Sequence, residues 1–218
     1  MNEYLNPGEY IDSENSSIVR FAEQAVEGVK GEKARAIALY LAVRDSVSYD
    51  PYVDFSDRET VRASSVLAAG RGYCIGKASL LSACARAVGI AARPGYADVR
   101  NHMTSKKLRD LVDSDIFRWH SYAELLVGGK WVKCTPAFDS ALCERAGLAP
   151  LEFDGVSDSL FHPYDPQGRK HMEYLLERGT YDDVPFDTIM ADFQRYYPRL
   201  MTNGSVQGDF KAEVETSG

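Results

Sequence analysis

Cys74 follows Gly70-Arg71-Gly72-Tyr73 and opens a long apolar run through Ile75, Ala78, Leu80, Leu81, Ala83, Ala85, Ala87 and Val88. Helical spacing of that run puts the sulfur in the first turn of a helix. There, unpaired backbone N–H groups and the helix dipole favour a thiolate, and such cysteines reach pKa values of roughly 3.5–7.5. The same amides suit a developing oxyanion. Cys84, by contrast, shares one helical stripe with Leu80, Ala87 and Val88 and is expected in the core.

A base can be sought by hairpin arithmetic. Residues 121–127 and 130–135 are two extended runs joined by Gly128-Gly129, a two-residue turn signal. With Val127 opposite Lys130, continuing the register sets His120 opposite Ala137, and Asp139 falls one diagonal step along on the same face. Diagonal neighbours lie roughly 7–8 Å apart at the backbone, within reach of an imidazole–carboxylate hydrogen bond. Pro136 cannot donate to the ladder, so the pairing is expected to loosen there. Cys74, His120 and Asp139 then form a nucleophile, base and orienting carboxylate of the kind that carries acyl transfer. His102, in the polar loop before the hairpin, is the rival base. His162 and His171 are expected to be structural or exposed.

These residues need a scaffold, and the elements are readable in outline. An extended lead-in over 1–12 precedes a helix capped by Asp12 or Ser13 and stopped at Gly28. A second helix is expected over 32–44, an extended stretch at 47–49, a short helix before Gly70, and the Cys74 helix ending at Gly89. A strand over 90–99, bounded or kinked at Pro94-Gly95, and a helical turn or two near Leu108–Val112 lead to the hairpin. Beyond Pro150, helices are expected over 172–178 and 186–193. The sequence from 202 to 218 lacks an apolar pattern and is expected to be disordered. Helices early and antiparallel strands late point to an α+β fold, with one domain over 13–201.

Composition removes several function classes. The 218 residues carry 25 Lys and Arg against 32 Asp and Glu, a net charge of −7, unlike the basic footprint of a nucleic-acid binder. No apolar run approaches the roughly 18 residues of a membrane span, and no secretory signal is visible. The four cysteines, at 74, 84, 134 and 143, form no metal-ligand spacing and no disulfide framework. A cytoplasmic protein is expected, with no cofactor, metal, nucleic-acid or membrane partner.

Three blocks then carry a resemblance. Gly-Tyr-Cys-Ile-Gly-Lys-Ala (72–78) with Ala-Arg-Ala-Val-Gly-Ile-Ala-Ala-Arg (85–93), Trp-His-Ser-Tyr-Ala-Glu-Leu (119–125), and Gly-Lys-Trp-Val-Lys (129–133) with Thr-Pro-Ala-Phe-Asp (135–139) stand in order. Together they resemble the nucleophile helix and the His and Asp strands of the transglutaminase-like superfamily. Residues 150–200 look like the C-terminal part of its stand-alone bacterial members. The resemblance implies a papain-like α+β fold, a Cys74–His120–Asp139 triad, and a thioester resolved by water or an amine. Tyr73 and Trp119, which flank the nucleophile and base, are the candidates for substrate contact or oxyanion support. The chain shows no EF-hand loop, which argues against calcium activation, and it lacks the Cys-x-x-Cys pairs that accompany peptide N-glycanases.

The leading expectation is a thiol acyl-transfer enzyme acting on a protein, peptide or small amide, with hydrolysis favoured over cross-linking. The alternative is a non-catalytic binding or scaffold module of the same fold. A disulfide oxidoreductase ranks last, because Cys84 lies more than two helical turns from Cys74. The width of the groove over Cys74 separates the substrate classes: an open cleft suits a protein, a closed pocket a small amide.

Overall fold

The computed structural model describes residues 2–102, 104–161, 168, 172–202 and 208–215. Asn15, rather than Asp12 or Ser13, caps the first helix, α1 (Ser16–Ala25), its side-chain oxygen accepting from the Ser17 amide. Helix α2 (Glu32–Ser46) leads into a short strand β1 (Ser48–Tyr49), which pairs in parallel with β2 (Arg71–Gly72) across the helix α3 (Ala63–Ala69). Helix α4 (Cys74–Ala87) begins one residue after β2 and closes with Gly89 left-handed at φ 82°. Strand β3 (Ala92–Asn101) runs through Pro94-Gly95 without a break. Then come α5 (Lys106–Val112), the hairpin of β4 (Ile116–Val127) and β5 (Lys130–Cys134), and α6 (Ser140–Arg145). Strand β6 (Met172–Thr180) and helices α7 (Phe186–Tyr196), α8 (Pro198–Thr202) and α9 (Phe210–Glu215) complete the described chain.

The four longer strands make one antiparallel sheet in the order β5-β4-β3-β6. Helices pack on this curled sheet in the α+β arrangement of the papain-like and transglutaminase-like folds. The hairpin register is the expected one, with Val127 opposite Lys130 and Ala123 opposite Cys134. Both turn glycines have positive φ, 58° and 80°, as a tight primed turn requires. Pairing stops at Cys134, so the extrapolated partnership of His120 with Ala137 does not form; His120 pairs instead with Ala97 on β3.

Two expectations about the C-terminal third are overturned. Residues 172–180 form strand β6 rather than a helix. Met, Leu, Glu and Arg favour helix in isolation, but pairing along β3 outweighs that preference, and this edge strand leaves Leu175 and Leu176 43% and 55% exposed. The stretch after 202, expected to lack structure, contains α9, whose Phe210 is buried. A single aromatic anchor carries no periodicity, so the pattern gave no sign of it.

The core divides by chemistry. Aliphatic side chains from α1, α2, α3, α4 and the covered face of β3, β4 and β5 fill one half, among them Ile18, Leu39, Leu80, Leu81, Leu125 and Val132. An aromatic half gathers Tyr52, Phe55, Tyr73, Tyr96, Trp119, Phe193 and Phe210 from segments far apart in sequence. Helix α4 joins the two: its first turn touches the aromatic half and its remainder is sunk in the aliphatic one. Among the described residues no helix is long and apolar enough to cross a membrane.

Candidate active site

Cys74 is the first residue of α4, after Tyr73 at the cap position, and Tyr73 makes no side-chain capping bond. The first-turn amides are therefore left for other partners. Gly76 allows this turn to seat closely: a Cβ there would lie 2.5 Å from the Thr60 carbonyl oxygen. The sulfur is approached by its own amide and those of Ile75 and Ser121. Ser121 follows His120 on β4, so helix start and strand meet at this atom.

Burial nonetheless pushes the Cys74 thiol up to about 11, against the pull of those three amides. This direction is opposite to the depression expected for a cysteine in a first helical turn. The aromatic walls withdraw the sulfur from water, and the cost of burying its charge exceeds what neutral amides return. Cys74 is still the only half-exposed cysteine of the four; Cys84, Cys134 and Cys143 are buried.

His120 lies in β4 with its ring centroid 6.0 Å from that of Phe161 and 6.1 Å from that of Tyr174. It lines the same pocket as Cys74. Just before it, Trp119 adopts a left-handed φ of 61°, at a bulge where β4 departs from its register with β3. The sequence carries no sign of this feature.

Asp139 is not a strand residue beside His120. It is the N-cap of α6: one carboxylate oxygen accepts from the Leu142 amide at 3.0 Å, the other from the Tyr49 amide at 2.8 Å. Lys211 of α9 adds a contact at 3.4 Å. Among the described residues, Tyr49, Leu142 and Lys211 are its hydrogen-bond partners. The carboxylate thus ties α6 to β1, and in doing so fixes Tyr49 against Phe138 (4.8 Å between ring centroids), two walls of the pocket. Cys74 and His120 line one pocket, and Asp139 is not among its lining residues.

The remaining candidates sort plainly. His102 pairs with Glu173 at 3.1 Å and does not line the pocket. His162 and His171 lie outside the described residues. Tyr73 is buried edge-on to Phe55 and lines the pocket. Trp119 lines it too, but its indole N–H is committed to Asp192 at 2.8 Å, which leaves it a wall rather than an oxyanion donor. Among the described residues no group of His, Cys, Asp or Glu is placed to hold a metal ion.

Sequence reasoning missed two features. Lys77, one turn into α4 from Cys74, is fully buried and donates to the Arg44 and Val47 carbonyls, so it caps the end of α2. Burial pushes its ammonium down to about 7, against the opposing pull of Asp139 and Asp45. A lone charge within an apolar helical run was the available signal. The second feature is α9, whose Phe210 lies 5.5 Å from the Tyr49 ring and lines the pocket.

The pocket between these parts is mostly aromatic and aliphatic, and His120, Asn101, Thr104 and Arg118 are among its few polar members. About 70 Å³ of space remains in it. That is well below the roughly 300–1,000 Å³ of a typical small-molecule site. Among the described residues, the space over Cys74 is narrow.

Comparison with known proteins follows the same outline. One structure that matches is a Cytophaga hutchinsonii protein named as a candidate cysteine protease, 19% identical, with a TM-score of 0.49, over 83% of this chain and 46% of that one. The chain thus spans less than half the length of that protein. No curated protein matches. The family model of the transglutaminase-like superfamily matches residues 19–136, which include Cys74 and His120 and stop short of Asp139. That match covers more than half of the sequence, and the chain belongs to the transglutaminase-like superfamily.

Proposed function

We propose that this protein is a thiol-dependent acyl-transfer enzyme in which Cys74 is the nucleophile and His120 the base. The observation that carries the reading is the meeting of Cys74, at the start of α4, with His120 in one water-poor pocket, with backbone amides of both elements at the sulfur. A thiol held up to about 11 does not act as a standing thiolate. Its proton passes to the imidazole as the sulfur bonds to the substrate carbonyl carbon. The carbonyl oxygen takes up the negative charge and is received by the amides near the sulfur. The imidazolium then protonates the departing amine, leaving a thioester on Cys74. Water, deprotonated by the same imidazole, releases the acid; an amine in its place gives a transferred amide. Asp139 enters as the carboxylate that holds the pocket wall and not as the imidazole's partner.

The narrow, mostly apolar space over Cys74 supports a small amide with an apolar acyl group over a broad protein surface, and hydrolysis over cross-linking. The test is release of a fluorescent amine from a panel of short acyl and aminoacyl anilides. Turnover that vanishes in Cys74→Ala and falls sharply in His120→Ala supports the reading; turnover indifferent to both defeats it. A second reading, a non-catalytic module, is favoured by one observation: burial raises the Cys74 thiol and little space remains over it. Absence of turnover across the panel would favour it.

A further inference from the structure

Two strand irregularities converge on one carboxylate. On β4, Ala97 pairs with His120 but Val99 pairs with Phe117, so Arg118 and Trp119 together face Asp98. On β6, Tyr96 pairs with Gly179 but Ala97 pairs with Glu177, which leaves Arg178 as the extra residue. Asp98, between them on β3, is only 3% exposed. One of its oxygens accepts from the Trp119 amide at 3.2 Å and from Arg178 Nε at 2.5 Å. The other accepts from Arg118 and from the second arm of Arg178, both at 2.9 Å. Asp192 completes the set, accepting from the Trp119 indole at 2.8 Å and from Arg178 at 2.9 Å.

The bulge has a consequence for the site. Ala97 and Val99 share a face of β3, so their partners His120 and Phe117 share a face of β4, although three positions separate them. In a regular strand Phe117 and His120 would point to opposite faces. The extra residue sends both into the Cys74 pocket and sets Trp119 in the aromatic half, where it forms part of the pocket wall. A left-handed backbone at a tryptophan is strained and persists only where its surroundings hold it. Asp98 is what holds it: the carboxylate receives the amide of the strained residue itself.

We propose that Asp98 is the positioning residue for His120, acting through the Trp119 bulge with Arg178 as its counter-charge. The chemical part of this proposal rests on His120 serving as base; the geometric part does not.

The experiment uses the full chain carrying Asp98→Asn, close to isosteric, and Arg178→Lys, which keeps the charge but loses the two-armed contact. One readout is the imidazole NMR resonance of His120, assigned by its loss in His120→Ala. The other is the rate of Cys74 alkylation by iodoacetamide in wild type, Asp98→Asn, His120→Ala and the double variant. The expected result is a shifted His120 resonance and alkylation slowed about ten- to a hundredfold by Asp98→Asn, the scale of a displaced catalytic group. The same substitution should add nothing once His120 is absent. Arg178→Lys should move both readouts in the same direction, less far. An unmoved resonance with unchanged alkylation in folded Asp98→Asn protein overturns the proposal. An equal slowing with and without His120 overturns it as well, because Asp98 would then act on the fold alone. A moved resonance with alkylation indifferent to His120 leaves the placement standing and sinks the base.

Discussion

Cys74 and Cys84 stand on one helix, yet their surroundings have little in common. Cys84 is surrounded by aliphatic side chains of α1, α2 and α3 and has no exposure. Cys74 is half-exposed among rings contributed by β1, β4, α7 and α9, with amides of two elements at its sulfur. Burial raises both thiols, so acidity alone does not separate them. What separates them is access, an imidazole lining the same pocket, and hydrogen-bond donors. On the proposed reading, reactivity at Cys74 is a matter of neighbours from distant segments, whereas burial of Cys84 needs only the helical stripe.

The largest expected contrast is between activity and stability. Cys74→Ala should abolish turnover and leave the thermal midpoint nearly unchanged. Leu81→Ala, beside Cys84 in the aliphatic half, should cost about 2–5 kcal/mol of stability without a direct effect on the chemistry. Urea denaturation and the anilide assay on both variants check this, and a large stability loss in Cys74→Ala would blur the division.

The next effect is on pH. Because burial holds Cys74 up to about 11, its alkylation rate should climb through the alkaline range and not level off near pH 6. Cys84 should remain far slower at every pH by lack of access. Mass-spectrometric mapping across pH 6 to 11 reads both, and a plateau near neutrality would show that His120 already holds the proton in the resting state.

Lys77 is the helix's third test. Its ammonium is held down to about 7 in the fold and titrates at roughly 10.4 in an unfolded chain. Between those values the unfolded state binds more protons, so this group makes stability rise with pH from about 7 upward. Its penalty is complete below that window. Lys77→Met should remove a pH-dependent contribution of about a few kcal/mol, seen as a stability difference between variant and wild type that changes with pH above about 7, and parallel curves would refute it.

Smallest is the effect of α9. Phe210→Ala should speed labelling of Cys74 by a bulky maleimide several-fold while changing iodoacetamide labelling less, because Phe210 fills part of the pocket. Equal changes for the two reagents would mean that α9 does not gate access.

Much of this was legible in the sequence where the physics is local. The Gly128-Gly129 turn set the hairpin register, and the apolar run after Gly70-Arg71-Gly72 placed Cys74 at a helix start. Cys84 in the core followed from spacing. The failures share another cause. Asp139 was placed by extending a register that stops at Cys134, where the backbone turns towards the α6 cap. Strand β6 has helix-favouring residues, and only its pairing with β3 makes it a strand. The Trp119 bulge depends on a carboxylate 21 residues earlier, and the docking of Phe210 on rings more than 150 residues away. The raised Cys74 thiol belongs with these, since the depth of burial is a property of the assembled aromatic half.

One measurement bears most directly on the pairing of Cys74 with His120. The protein is mixed with a small apolar activated ester, such as a p-nitrophenyl acyl ester, quenched in acid, and its intact mass and peptide map are read over time. The account predicts a single acyl group on Cys74, labile to hydroxylamine, formed much more slowly in His120→Ala and absent in Cys74→Ala. No adduct, or adducts on Cys74 at the same rate with and without His120, would contradict it.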